Sequence, residues 1–191
     1  MSSAVDIVNQ ALLMLGSNQI ISFDDETVEA SAAKALYPTA KKQVLRSYPW
    51  RCATKTERLA RSTDTPVDPN WQYFHAIPDD SLRVLEVVML DELAAGVPEW
   101  TIEGPFVMAN VTPIGARFIK NIPEPELDVH VEMALVGRVA MDLSYTLTAS
   151  QSREASLYQL YETKLNEARV TDRQEASHKH FHITGLDVVR R

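Results

Sequence analysis

The fold is decided by two blocks of sequence, Ser47-Tyr48-Pro49-Trp50-Arg51-Cys52-Ala53-Thr54-Lys55 and Trp71-Gln72-Tyr73-Phe74-His75-Ala76-Ile77-Pro78-Asp79-Asp80-Ser81-Leu82-Arg83-Val84. Before the first block, apolar residues recur with helical spacing. From the second block onward, they come in short runs cut by Gly and Pro, which is typical of strands. Large aromatic side chains are suited to anchor such a boundary. We therefore predict a hinge between a helical and a β part, formed by Pro49, Trp50 and Trp71.

The composition bounds the class of protein. The chain has 191 residues, 45% of them hydrophobic and 24% charged, which is ordinary for a soluble globular protein. Its formal net charge of -7 argues against a general nucleic-acid binder. The single Cys52 excludes an intrachain disulfide and fits synthesis in a reducing cytoplasm. We expect no secretory signal and no membrane span, because the chain shows neither a basic start nor a long apolar run.

Helical patterns occupy both ends of the chain. The first predicted helix covers about 4–15, with Ser3 as its cap and Gly16 after its last turn. The second covers about 27–48, and Pro38 inside it predicts a kink. Helical spacing returns after Pro125 in two further helices, the last opening in a capping-box pattern at 148–151. The predicted buried stripes of the last three helices are Ala30, Ala33, Tyr37, Ala40 and Val44; Val129, Met133, Val136, Ala140, Leu143 and Leu147; and Tyr158, Tyr161, Leu165 and Ala168.

Between these helices lies a segment with strand patterns. The candidate strands are 71–76, 82–90, 100–103, 106–111 and 117–122, separated by short turn sequences that favour antiparallel hairpins. We therefore predict an α+β fold in which about four helices form a bundle that carries an inserted antiparallel β subdomain. The predicted boundaries are 1–62 and 123–170 for the bundle, 63–122 for the insertion and 171–191 for an extended C-terminal arm.

The sequence contains few motifs that indicate catalysis, cofactor binding or metal binding. The chain contains no glycine-rich phosphate loop and no serine nucleophile motif, so we expect no enzyme activity and no cofactor. Cys52 lies beside basic residues, which could activate a thiol, but a small buried side chain is the simpler interpretation. His178, His180 and His182 would share one face of an extended segment and could bind a metal or sense acid. An exposed polar tail segment, or a strand that pairs with a neighbour, is the stronger interpretation of these histidines.

Charge is unevenly distributed along the chain. Segment 41–61 holds seven basic residues against one acid, and segment 79–103 holds seven acids against one base. These segments are either two solvated faces or the two halves of a contact between subunits. A head-to-tail contact of this kind is heterologous, and it builds a ring when the rotation closes.

Three blocks of the sequence resemble the tail tubular protein A family of head-to-tail adaptors in tailed bacteriophages. They are Pro49-Trp50-Arg51-Cys52-Ala53-Thr54-Lys55, Ile77-Pro78-Asp79-Asp80-Ser81-Leu82-Arg83-Val84 and Trp100-Thr101-Ile102-Glu103-Gly104. The first and third predicted helices are also similar to those of the family. Cys52 is a departure, because the family usually has an aromatic residue there.

The resemblance implies a virion protein, made in the host cytoplasm, that forms a ring in the neck. In the family this ring is twelve-fold, binds the portal protein on one side and a tail or nozzle protein on the other, and lets genomic DNA pass without specific binding. The alternatives are a head-completion connector of a long-tailed phage and, in another class, a virion-associated cell-wall hydrolase. The candidate residues for contacts with the next subunit or the portal are Arg46, Arg51, Lys55, Arg58, Arg61, Glu86, Asp91, Glu92, His178, His180, Phe181, His182, Asp187, Arg190 and Arg191.

Overall fold

The computed structural model of the chain describes residues 2–90 and 98–175. It has a mixed α+β fold of four helices and antiparallel sheets, which confirms the predicted class. Within the described residues, no helix is both long and apolar enough to cross a membrane. In chain order the elements are α1 (Ala4–Leu15), α2 (Val28–Arg46), β1 (Thr54–Arg58), β2 (Ala60–Arg61), β3 (Tyr73–Ala76), β4 (Ser81–Met89), β5 (Trp100–Glu103), β6 (Phe106–Ala109), β7 (Ile114–Lys120), a 3₁₀ turn (Glu124–Glu126), α3 (Val129–Thr148) and α4 (Gln151–Gln174).

The first helix begins and ends as its sequence predicts. The Ser3 hydroxyl accepts a hydrogen bond from the Asp6 backbone N–H, and the Asp6 carboxylate accepts one from the Ser3 backbone N–H. This reciprocal capping box satisfies two donors that a helix start leaves unpaired. Gly16 ends the helix with φ of 68°, a left-handed conformation that costs glycine little.

The bundle is arranged around α3, which packs against α1, α2 and α4. The predicted stripe of α2 is buried throughout, and the helix continues through Pro38. The predicted stripe of α3 is wrong at Val129, which is 69% exposed because it lies at the helix start, and at Met133, which is only partly buried and belongs to neither core. Since α3 has neighbours on several sides, its buried face is wider than one stripe. It also includes Val131, Ala134, Leu135 and Val139.

The start of α4 lies two residues later than predicted. Thr148 still belongs to α3, where its hydroxyl donates to the Ser144 carbonyl oxygen. Ala149 then adopts a left-handed conformation, and the Ser150 hydroxyl accepts from the Arg153 N–H as the cap of α4. This phase buries Leu157 and leaves Tyr158 half exposed, the reverse of the prediction.

The strands form two sheets with different partners. Sheet A is three-stranded with the order β1-β7-β4, and sheet B is four-stranded with the order β2-β3-β6-β5. β1 and β2 were not predicted as strands, and they lie in a stretch that the sequence analysis gave to the bundle. Their mostly exposed polar residues show no apolar alternation that would have revealed them. β7 begins at Ile114, three residues earlier than expected, and α4 extends four residues into the predicted arm.

Sheet A is a wall shared by two hydrophobic cores. Phe118 points into the core between the sheets, whereas the next residue, Ile119, points into the core of the bundle, and both are fully buried. This division follows from the alternation of side chains along a strand. In β4, two register shifts place Leu82 and Leu85 as extra residues against β7. These bulges turn both leucines towards the bundle, while Val84 and Val87 remain in the sandwich core.

A buried ion pair holds the connection between β7 and α3 against α2. The Glu124 carboxylate accepts from Lys41 Nζ at 2.8 Å and from the Tyr37 hydroxyl at 3.0 Å. Burial alone would raise the pKa of Glu124. The hydrogen bonds from Lys41 and Tyr37 outweigh that effect, so this pKa is lowered from 4.5. Burial and the adjacent Glu124 charge raise the pKa of Tyr37, which therefore stays protonated.

We predict that Glu124→Gln lowers the free energy of unfolding at neutral pH by about 1–3 kcal/mol, since a buried ammonium loses its counter-charge. Because the pKa of Glu124 is lower in the folded chain, its contribution is present above 4.5 and is lost as pH falls through the folded value. The wild type should therefore lose more stability than the variant on acidification. Urea unfolding across that range measures the difference.

Asp24→Asn is the matched control, because the Asp24–Lys34 pair is largely exposed. It should leave stability nearly unchanged. Equal effects of the two substitutions would contradict a structural role for the Glu124 contacts.

Candidate assembly interface

The hinge is built around Trp50. Its indole is fully buried in the bundle core, Nε1–H donates to the Val44 carbonyl oxygen at 2.9 Å, and the ring lies 4.7 Å from that of Tyr48. Three residues later, the Ala53 carbonyl oxygen accepts from the Lys120 N–H of β7. Trp50 therefore fixes the exit of the chain from α2, and the following turn delivers it to sheet A.

Trp71 does not share this role. It lies before β3 in a turn where its N–H donates to the Asp68 carbonyl oxygen, and it is only partly buried. It does not belong to either hydrophobic core. Of the three predicted hinge residues, Pro49 and Trp50 lie at the junction of the bundle with sheet A, and Trp71 lies in the β part.

The end of α4 is fastened to the same hinge. The Arg51 backbone N–H donates to Asp172 Oδ1 at 3.0 Å, and its guanidinium pairs with Glu175 Oε2 at 2.9 Å. The Arg173 guanidinium lies over the Tyr48 ring at 5.6 Å. Exposed pairs of this kind are individually weak, at about 0–1 kcal/mol, but together they set where the chain leaves the bundle.

A basic residue of β7, which belongs to neither charged segment, pairs with an acid from each of them. Lys120 on β7 pairs with Glu57 on β1 and with Asp80 before β4. The hydrogen bonds that Lys120 Nζ donates to these two carboxylates raise the pKa of Lys120. Part of the charge contrast is therefore neutralised inside the fold.

The remaining charged residues lie on opposite edges of sheet A. Lys55 and Arg58 are exposed on β1, and Glu86 is exposed on β4. Because β7 occupies the middle of the sheet, each outer strand presents one edge without a strand partner among the described residues. Arg46 is exposed at the end of α2, and the Arg61 guanidinium lies 4.2 Å from the centre of the Tyr73 ring. The other candidates, Asp91, Glu92, His178, His180, Phe181, His182, Asp187, Arg190 and Arg191, lie outside the described residues.

A groove that sequence reasoning missed separates β4 from the turn between β5 and β6. It has a volume of about 440 Å³. Its walls combine apolar side chains, among them Leu82, Val84 and Ile102, with Arg46 and Arg83. No sequence signal points to this groove, because its lining comes from three separate segments of the chain.

His75 is a second feature that the sequence did not reveal. It is fully buried on β3, and no hydrogen bond of standard geometry reaches either ring nitrogen from the described residues. Burial, with a smaller contribution from the Arg61 charge, lowers the pKa of His75, so the neutral ring is favoured. Its place between Arg61 on β2 and Val107 on β6 is that of a core side chain.

The environment of Cys52 disfavours a reactive thiol. Cys52 packs against the bundle core, and burial raises the pKa of its thiol, which disfavours the reactive thiolate. Among residues 2–90 and 98–175, no three His, Cys, Asp or Glu side chains come together as a metal site. The histidines at 178, 180 and 182 lie outside that part of the chain.

Comparisons with known proteins add no relative: no protein-family model matches the chain, and the search of curated proteins gave no significant match.

We predict that Trp50→Ala lowers the free energy of unfolding by about 3–5 kcal/mol, because a fully buried aromatic is replaced by a cavity. Trp71→Ala, at a partly exposed site outside both cores, should cost only about 1 kcal/mol. Denaturant unfolding followed by circular dichroism compares the two. A loss for Trp71→Ala as large as that for Trp50→Ala would contradict the assignment of the hinge to Trp50.

Proposed function

We propose that this chain is a structural virion protein, a head-to-tail adaptor that forms a ring between the portal and the tail of a tailed bacteriophage. The observation that carries the proposal is the position of Lys55 and Arg58 on one edge of sheet A and of Glu86 on the other. Opposite charges on opposite edges suit a contact in which each subunit meets the next in the same orientation. Such a contact is heterologous and closes into a ring at the right rotation.

The rigidity of the fold supports this role. A ring needs a fixed angle between the two surfaces of each subunit, since a small error per subunit accumulates around the circle. Trp50 and the shared wall of sheet A hold the bundle and the β part in one arrangement. The sequence blocks that resemble the tail tubular protein A family include Trp50 and the Leu82 bulge, so the resemblance falls on the residues that set this angle.

The overall charge suits the passage of DNA. A chain with a net charge of -7 offers few attractive contacts to phosphates, so genomic DNA would move through a lumen without stalling. The proposed protein partners are a portal protein on one side and a tail or nozzle protein on the other. A head-completion connector of a long-tailed phage would use the same ring, and it differs in the protein that docks below.

The direct test is assembly on the portal. The purified full-length chain is mixed with the portal protein of the same phage, and the mass of the complex is measured by mass photometry. We expect a ring of about twelve copies, which is the number that the family resemblance implies. Complementary charges on the edges of sheet A should set the register of neighbouring subunits and suppress wrong pairings. A chain that stays monomeric with its portal would overturn the proposal, and cleavage of peptidoglycan by that monomer would favour the hydrolase alternative.

Charge reversal sharpens this test. Lys55→Glu with Arg58→Glu places like charges on both edges of sheet A and should weaken ring formation. Lys42→Glu, an equally exposed change on the bundle, is the control and should assemble normally.

A second prediction concerns the proposed C-terminal arm. Deletion of 177–191 leaves every described contact in place, including the Arg51–Glu175 pair. The truncated chain should therefore keep its helix content and melting temperature but lose docking to the portal or to the next subunit. Normal incorporation of the truncated chain into heads would show that this segment is not a docking arm.

A further inference from the structure

The loop between β2 and β3 presents an isolated apolar side chain. Val67 is 98% exposed, the most exposed of the large hydrophobic residues in the described chain. It lies between two carboxylates, Asp64 and Asp68, which are exposed as well. A single exposed valine is unremarkable, but an apolar knob between two acids has the composition of a small docking element.

Local hydrogen bonds hold this loop in shape. Asp68 Oδ1 accepts from the Asn70 backbone N–H at 3.0 Å. On β6's side of the loop, the Asn110 side chain donates to the Asn70 carbonyl oxygen and accepts from the Gln72 N–H, both at 3.0 Å. Pro66 and Pro69 further restrict the backbone. A preformed loop loses little conformational entropy on binding.

The groove beside β4 has the complementary chemistry. Arg46 and Arg83 are both exposed and line it together with a single acid, Asp79. Its apolar wall includes Ile102, which is 47% exposed. A valine flanked by two carboxylates is therefore complementary to a groove that combines apolar side chains with two arginines.

The loop and the groove lie at opposite ends of sheet B. The loop leads into β3 at Tyr73, which is paired with Ala109. At the other end, Ala76 is paired with Phe106, and the chain passes directly into Ile77 and Pro78 in the groove. β3 spans about 13 Å at the usual rise per residue, and the loop follows β2 while the groove borders β5, on opposite sides of the sheet. The rigid loop of one subunit is thus directed away from its own groove.

We infer that the Val67 loop of one copy of this chain docks in the groove of the next copy. Val67 contacts the apolar wall near Ile102, and Asp64 and Asp68 face Arg46 and Arg83. Since the knob and the groove are different surfaces, the contact is heterologous and propagates from subunit to subunit. This inference rests on the proposed ring and adds a second contact between neighbouring subunits to the one proposed for the edges of sheet A.

Disulfide trapping of the full-length chain tests the contact. Two single-cysteine proteins are made in a Cys52→Ala background, Val67→Cys with an affinity tag and Ile102→Cys without one. They are mixed and oxidised. The expected product is the mixed dimer, formed well above the proportion for random pairing and about tenfold faster than the dimer of Val67→Cys with Val28→Cys, a control at another exposed valine.

Charge reversal adds a readout that random collision would not produce. Arg83→Glu in the Ile102→Cys protein should slow formation of the mixed dimer by about fivefold, and Asp68→Lys in the partner should restore part of the rate. Unchanged circular dichroism would show that the variants are folded.

Two outcomes would overturn the inference. One is a mixed dimer of Val67→Cys and Ile102→Cys that forms no faster than the control dimer. The other is a disulfide between Ile102→Cys and the portal protein when the portal protein is added to the mixture, because that result would assign the groove to the portal. Efficient trapping by a chain that never assembles on a portal would leave the subunit contact standing and would reject the phage adaptor function.

Discussion

The structure depends on one strand that serves two cores. In β7, Phe118 closes the space between the sheets and Ile119 closes the bundle. Neither core is complete without this strand, since each uses the opposite face of it. The neighbouring strand β4 also contributes to both cores, because its two bulges turn Leu82 and Leu85 towards the helices. A helical bundle and a β sandwich that would otherwise be joined by linkers become one body.

The same wall explains why the hinge is rigid. The chain leaves α2 at Trp50, is held by the Val44 carbonyl oxygen, and reaches β1 within a few residues. The return path from β7 to α3 is held by Lys41 through Glu124. Both connections between the two parts are therefore fixed by buried polar contacts. The β part therefore keeps a defined orientation relative to the helices. This applies to the edges of sheet A, the Val67 loop and the groove beside β4. The proposed ring needs that property.

Much of the fold could be predicted from the sequence, because local rules decide it. Ser3, Gly16 and the stripe of α2 follow from capping and periodicity. The misses have a common origin in tertiary contacts. β1 and β2 carry no apolar alternation, so only their pairing with β7 and β3 makes them strands. In α4, Ser150 instead of Thr148 is the cap, and Leu157 is buried in place of Tyr158, whereas Tyr161, Leu165 and Ala168 are buried as predicted.

The site was harder to predict than the fold. Runs of like charge suggested two opposed segments. In the structure, however, Lys120 forms ion pairs with both Glu57 and Asp80, and these residues are too far apart in the sequence for the contact to be predicted. The groove beside β4 is lined by residues from separate segments of the chain, so no local motif predicts it. Trp71 matched Trp50 in residue type alone, and its partial burial shows that residue type does not decide which aromatic anchors a hinge.

Native-state hydrogen exchange tests the shared wall most directly. If β7 belongs to both cores, its amide protons exchange only when the whole chain unfolds, with the same free energy of opening as those of α3. As the denaturant concentration rises, the amide protons of β7 and those of α3 should then both continue to exchange through global unfolding. Exchange of the β7 amides through a smaller opening, while α3 stays protected, would contradict the account, because the β part would then unfold independently of the bundle.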